Sequence, residues 1–169
     1  MAPRRSSPRD GLSPTQVRDE DVDVTFMVWL TSRATSELLD SVLAPAGLDG
    51  DEFAIYSVLV AAPSITPTEL ARWMAAPPTT VSSYVKRFES RGHVEREPNP
   101  LDRRSYRIKL TPAGQRAHKA AAKLFTPVRA RVEEGLGSRS DEVREALLLL
   151  RSVLDDVGPS PRGSIAQRS

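Results

Sequence analysis

The chain has 169 residues and carries 24 Lys/Arg against 22 Asp/Glu, a net charge of +2. Hydrophobic residues make up 39% and charged residues 27%, which suits one domain of ordinary size with a buried core. The absence of cysteine excludes disulfides, thiol redox sensing, cysteine nucleophiles and cysteine-ligated zinc.

Only two histidines exist, His93 and His118, so a histidine metal site or triad has little to draw on. No phosphate-binding glycine loop, metal-ligand spacing or base-paired nucleophile is present, so neither an enzyme nor a cofactor or metal is expected. No apolar run approaches membrane-spanning length, and no apolar stretch follows the first arginines as in a secretion signal. The expectation is a soluble, cytoplasmic protein without a membrane partner. The charge is uneven. Between Pro77 and Lys119 stand ten Lys/Arg and four acids, a balance of +6 that leaves −4 for the rest. A basic middle on a near-neutral chain suggests a polyanion site; a solvated charged face reads equally well from the count alone.

Residues 1–20 are rich in Pro, Ser, Arg and Asp and read as a disordered tail, as do residues 158–169. Between them, residues 21–157 read as a single domain. A long helix is predicted from Asp21 to Leu43. Val24, Val28, Leu38 and Val42 share a face, and Phe26, Leu30 and Leu39 widen the apolar surface. A helix apolar over most of its girth is buried from two sides. Pro45-Ala46-Gly47 ends it. Asp49 then caps a second helix, with Glu52 three residues on as in a capping box, and Pro63 stops it. Thr66-Pro67-Thr68-Glu69 opens a short helix to Met74 with the same box and a proline at its first position. Another helix starts at Pro78 and runs to about Arg91, where Gly92 terminates it.

From His93 the period changes to two. Val94, Glu95, Arg96 and Glu97 alternate, a basic loop from Pro98 to Arg104 turns the chain, and Tyr106, Ile108 and Leu110 alternate with Arg107 and Lys109. This is a β-hairpin. Thr111-Pro112 caps a helix to about Leu136, which Gly135 and Gly137 are expected to break. A last helix from Ser138 or Ser140 to Val157 carries Val143, Leu147, Leu150 and Leu154 on one stripe.

Helix, short helix, tight turn, helix and basic hairpin make a winged helix-turn-helix. In the helix from Pro78, Val81, Tyr84, Val85 and Phe88 fall on one face. Thr79, Ser83, Lys86 and Ser90 fall on the other, flanked by Thr80 and Arg87. Short polar residues permit close approach to base edges in a major groove, and a helix N-terminus favours phosphate. Arg103 and Arg104 at the hairpin tip suit an adjacent minor groove; Arg104 can instead pair with Asp102. Trp29, Arg33 and Tyr56 offer aromatic faces and a cation to an aromatic carboxylate, or else serve as core and dimer residues. Trp73 packs against its neighbours equally well. His93 is expected to begin a strand, and His118 to lie on a helix surface.

The chain resembles the MarR family of bacterial transcription regulators. The resemblance covers about residues 22–157. It is carried by Glu69-Leu70-Ala71, Thr80-Val81-Ser82, Arg91-Gly92-His93-Val94-Glu95-Arg96, and above all Asp102-Arg103-Arg104 followed by Leu110-Thr111-Pro112-Ala113-Gly114. It implies a mainly α fold with a small β-hairpin wing. The winged helix-turn-helix would span about 48–111, and dimerisation helices 21–44 and 112–157. The implied function is that of a homodimeric regulator, a repressor on a palindromic double-stranded DNA operator, released by a small aromatic or phenolic ligand. On that reading DNA is met by Thr66, Pro78, Thr79, Thr80, Ser82 and Ser83. Lys86, Arg87, Arg103 and Arg104 add the cationic contacts. Two positions depart from the family pattern: Pro77 stands where an N-cap Ser, Thr or Asp is common, and Ser83 where many members carry a base-reading Arg. A winged-helix protein-interaction module without operator binding is the alternative.

Overall fold

The computed structural model describes residues 22–102 and 104–157. The tails expected over 1–20 and 158–169 lie outside the described residues, as does Arg103. The element order is α1 (Val24–Leu43), α2 (Gly50–Ala61), α3 (Pro67–Trp73), α4 (Pro78–Ser90), β1 (Val94–Pro98), β2 (Tyr106–Leu110), α5 (Pro112–Leu136) and α6 (Ser140–Val157). The fold is mainly α with one antiparallel hairpin, as the sequence pattern predicts.

Local chemistry sets most of the boundaries. Asp23 caps α1 by accepting the Phe26 N–H at 3.0 Å. Asp49 and Glu52 close a full capping box on α2, and Thr66 and Glu69 another on α3. Because the Thr66 hydroxyl also donates to the Glu69 carboxylate at 2.7 Å, it is engaged within its own helix turn. Gly92 ends α4 at φ +68, a left-handed conformation that strains a side-chain-bearing residue. Gly135 does not break α5, because it takes a helical conformation; Gly137 alone ends the helix, at φ +56. The helix also continues through Pro127.

The core lies among α2, α3, α4 and the hairpin. Leu43, Ile55, Tyr56, Leu70, Val81, Val85, Phe88 and Ile108 are its most deeply buried side chains. In the hairpin Val94 faces Leu110, Arg96 faces Ile108 and Pro98 faces Tyr106. A bridge between Ile65 and Ile108 ties β2 to the residues just before α3, with the Ile108 N–H 2.8 Å from the Ile65 carbonyl. Thr111 joins hairpin to α5. Its N–H donates to the His93 carbonyl at 3.0 Å, its hydroxyl donates to the Gly92 carbonyl at 2.7 Å, and the same oxygen accepts the Gly114 N–H. Gly114 lies so close to the His93 carbonyl that any Cβ there would collide with it. The Leu-Thr-Pro-Ala-Gly run therefore works as a joint between the α4 terminus, the wing and α5.

Outside this core, α1 and α6 are largely uncovered. Only Leu43 of α1 is buried, so the two-sided burial expected for that helix is not met within one chain. No residue of α6 is buried; Leu147 is 56% and Leu154 45% exposed.

Both histidines contact α2. The His93 Nδ1 lies 2.9 Å from the Tyr56 hydroxyl. His118 is not a surface residue: it is half-buried, stacks on Phe53 with ring centroids 5.4 Å apart, and places Nε2 3.1 Å from Ser57 Oγ. Its position facing α2 removes it from water, and burial lowers the pKa of both rings below 6.5; the Arg91 charge adds to this at His93. A depressed folded pKa means that the unfolded chain takes up protons first. The stabilisation is complete above about 6.5, the unfolded value, and is lost as pH falls through the lower folded pKa values. The melting temperature should thus drop between pH 7 and pH 5, and His118→Gln should flatten that slope. Thermal melts of both proteins across the range check this; parallel curves would remove His118 from the account.

Candidate nucleic-acid interface

Helix α4 is amphipathic in the way that its position demands. Val81, Val85 and Phe88 are buried, while Thr79, Thr80, Ser83, Lys86 and Ser90 are exposed along the other side. Pro78 is exposed at the first turn and Ser82 is half-buried. Pro77 provides no side-chain cap, yet the helix starts cleanly. Proline at the first position is preorganised for helix, and the Pro77 carbonyl accepts the Thr80 and Val81 N–H groups at 3.0 and 3.2 Å. Ser82 and Ser83 donate their hydroxyls to the carbonyls of Pro78 and Thr79 at 2.9 and 3.0 Å, which leaves their oxygens able to accept.

Arg87, one of the cationic contacts expected, is exposed and is also tied to the core. Its guanidinium turns back to α2, 3.0 Å from Glu52 Oε1 and 4.0 Å from Asp49, and lies 4.8 Å above the Tyr84 ring. Arg91 reaches the same Glu52 oxygen at 3.0 Å. The Glu52 side chain is only 2% exposed, so it needs these cations: a buried carboxylate without partners loses its hydration uncompensated. Sequence reasoning missed this role because Glu52 already had one as the third residue of a capping box. Tyr84 donates its hydroxyl to Asp51 at 3.0 Å, adding a second tie from α4 to the first turn of α2. Lys86 carries no such tie among the described residues and remains exposed.

The wing is braced from two sides. Arg96 forms a two-pronged pair with Glu89 of α4, with Nη2 2.7 Å from Oε2, and its guanidinium stacks 4.3 Å above Tyr106. Lys109 pairs with Glu97 across the strands at 2.8 Å. At the tip, Asn99 is buried and its Oδ1 accepts from the Leu101 N–H and Arg107 Nε at 3.1 and 3.3 Å. Asp102 Oδ1 accepts the Arg104 N–H at 2.9 Å, so the Asp102–Arg104 contact runs through the backbone while the Arg104 side chain stays exposed. Asn99 and Leu101 are site features that the sequence reading passed over; an Asn between two prolines was the available signal.

Trp29, Arg33 and Tyr56 are not brought together. Tyr56 is fully buried against Phe88 and His93 with no accessible surface, and burial pushes its phenol up to about 12, as fits a core hydroxyl. Trp29 is 55% exposed and stacks on Phe26, and Arg33 pairs with Glu37 at 3.4 Å. Trp73 is exposed on α3. A cavity of about 270 Å³ does open between α1 and α2, but Asp40, Asp49 and Asp51 line it, which opposes an anionic ligand.

The family model of the MarR family matches residues 46–105, from the turn before α2 to the wing. Through that segment, which holds the helix-turn-helix and the wing, the chain is similar to the MarR family of winged-helix transcriptional regulators. The multiple antibiotic resistance protein MarR of Salmonella typhimurium is 26% identical over 102 residues, 60% of this chain and 71% of that protein. A crystal structure of a mutant MarR from E. coli complexed with operator DNA is similar at a TM-score of 0.68 and 26% identity, covering 80% of this chain and 96% of that one. The M. tuberculosis regulator MosR in complex with DNA superposes at a TM-score of 0.72 over 82% of this chain and all of that one (100%); at 24% identity that is a likeness of fold. The matched MarR segment contains α2, α3, α4 and the wing loop, and so includes the Glu52 cluster.

The shared carboxylate predicts an asymmetry. Glu52→Ala leaves two guanidiniums without their anion and should cost about 3 kcal/mol, at the lower end for breaking a buried pair because both arginines reach water. Arg87→Ala leaves Arg91 in place and should cost about 1 kcal/mol. Urea unfolding of the two variants checks this; equal losses would mean that Glu52 acts through Arg87 alone and that Arg91 adds nothing.

Proposed function

We propose that the protein is a sequence-specific double-stranded DNA-binding regulator that acts as a homodimer. In this reading it represses transcription from a palindromic operator in the cytoplasm. The observation that carries it is α4. One face is locked into the core while the other offers short hydroxyl side chains and Lys86, and a braced cationic wing stands beside it. Residues 48–111 serve as the DNA-binding lobe, and 21–44 with 112–157 as the dimer helices. The uncovered apolar side chains of α1 and α6 support the dimer, since a second copy would remove them from water. The likeness to a MarR structure complexed with operator DNA supports the ligand class.

Labour on DNA divides by position. Thr79, Thr80 and Ser83 meet base edges in the major groove, with Pro78 and Ser82 packing close to the backbone. Lys86 takes a phosphate. Arg104, and Arg103 by its place in the sequence, address the neighbouring minor groove. Thr66 contributes by fixing α3 rather than by a free hydroxyl, and Arg87 by holding α4 on α2. An effector, if aromatic and acidic, would use Trp29 and Arg33 on α1 together with the second copy, since Tyr56 is sealed in the core.

The test is a titration on a duplex that the protein itself selects from a random library, and on a scrambled duplex, at several salt concentrations. The wild type should bind the selected duplex with two chains per site and prefer it by about 10³ or more. Lys86→Ala should weaken both duplexes alike and lower the salt slope by about one. Thr80→Ala and Ser83→Ala should instead narrow the preference. No preference for any selected duplex would leave the interaction-module alternative in its place.

A further inference from the structure

Leu101 is 85% exposed, more than any other large hydrophobic side chain among the described residues. The exposed apolar residues of α1 and α6 lie on helices that a second copy would cover. Leu101 lies on the wing loop, and the hairpin packs on α2, α3, α4 and α5. It is also held in place rather than left loose. Its N–H donates to the buried Asn99 side chain at 3.1 Å, and the Asp102 N–H donates to the Asn99 carbonyl at 3.3 Å. The Ser105 N–H then closes the turn on the Asp102 carbonyl at 3.0 Å. Pro98 and Pro100 restrict the chain ahead of it. An exposed leucine gains nothing from such fixing within the folded chain. It gains if the loop meets a surface, because a preorganised contact loses little entropy on binding.

The surroundings say which surface. Exposed Arg104 and half-buried Arg107 flank the loop, so its partner is polyanionic at the rim and apolar between. A DNA minor groove has that profile: phosphates along its edges, deoxyribose faces along its walls, and known tolerance of inserted Leu and Pro side chains. We propose that Leu101 is an apolar minor-groove contact, packed on the sugar wall between phosphates engaged by the wing arginines. This rests on the regulator reading above and adds to it a residue that contributes affinity without charge.

The experiment compares wild type, Leu101→Ala, Leu101→Gln and Leu101→Met on the selected and scrambled duplexes at several salt concentrations, with a thermal melt of each protein. Leu101→Ala and Leu101→Gln should lose roughly five- to tenfold in affinity for the selected duplex, as expected for partial burial of one leucine. Their salt slope should match the wild type, because no phosphate contact is lost. Leu101→Met should stay within about twofold, and all melting temperatures should agree. Wild-type affinity in Leu101→Gln would overturn the proposal while leaving the regulator reading intact. So would a reduced salt slope, or a lowered melting temperature, since Leu101 would then be positioning the loop. A wild type with no preferred duplex would overturn both readings together.

Discussion

One buried carboxylate sets the placement of the whole interface. Glu52 sits in the first turn of α2, closes that helix's cap through one oxygen, and gathers Arg87 and Arg91 on the other. Both arginines belong to the end of α4, so the element that would face DNA is anchored to the core by charge as well as by Val81, Val85 and Phe88. An ion pair contributes little when exposed, but one whose anion is buried fixes geometry, because breaking it strands a charge away from water. Arg87 is thereby tied to α2 while its side chain stays 45% exposed.

The wing takes its position from the same region. Arg91 is followed by Gly92 and His93, whose carbonyl receives Thr111 and crowds Gly114. Glu89, two residues before Arg91, holds Arg96 of β1. Helix end, wing base and the start of α5 therefore share one joint, and a shift of α5 against α2 would be felt at the hairpin. Of the two half-buried histidines, His93 belongs to that joint and faces Tyr56, while His118, further along α5, faces Ser57. Because α5 also leads to the uncovered α6, pairing with a second copy would bear on the same joint.

Much of this was legible in the residues. The two capping boxes, the Gly92 stop, the period-two hairpin and the Thr111 cap are local rules, and local rules survive folding. The exposed face of α4 followed from spacing alone. What the sequence concealed were partners distant along the chain. Nothing near Arg87 announces that Glu52, on another helix, will claim it. Tyr56 has the composition of a ligand-binding residue, and only three-dimensional packing against Phe88 and His93 makes it core. His118 looked external because its own helix is polar, yet its neighbour Phe53 comes from α2. Gly135 has a breaker's identity, but the helical hydrogen bonds around it override a propensity cost of about 1 kcal/mol.

The claim that Glu52 positions the exposed face of α4, rather than merely charging it, is tested most directly by Glu52→Gln. This change keeps the side chain's shape and removes one negative charge close to α4. Binding of wild type and Glu52→Gln to the selected and scrambled duplexes should be measured at one fixed salt concentration, well below both melting temperatures. If the carboxylate holds α4 in register, the variant should lose about tenfold or more on the selected duplex and keep or slightly gain affinity for the scrambled one. Equal gains on both duplexes would contradict the account, because the residue would then act only as a repulsive charge.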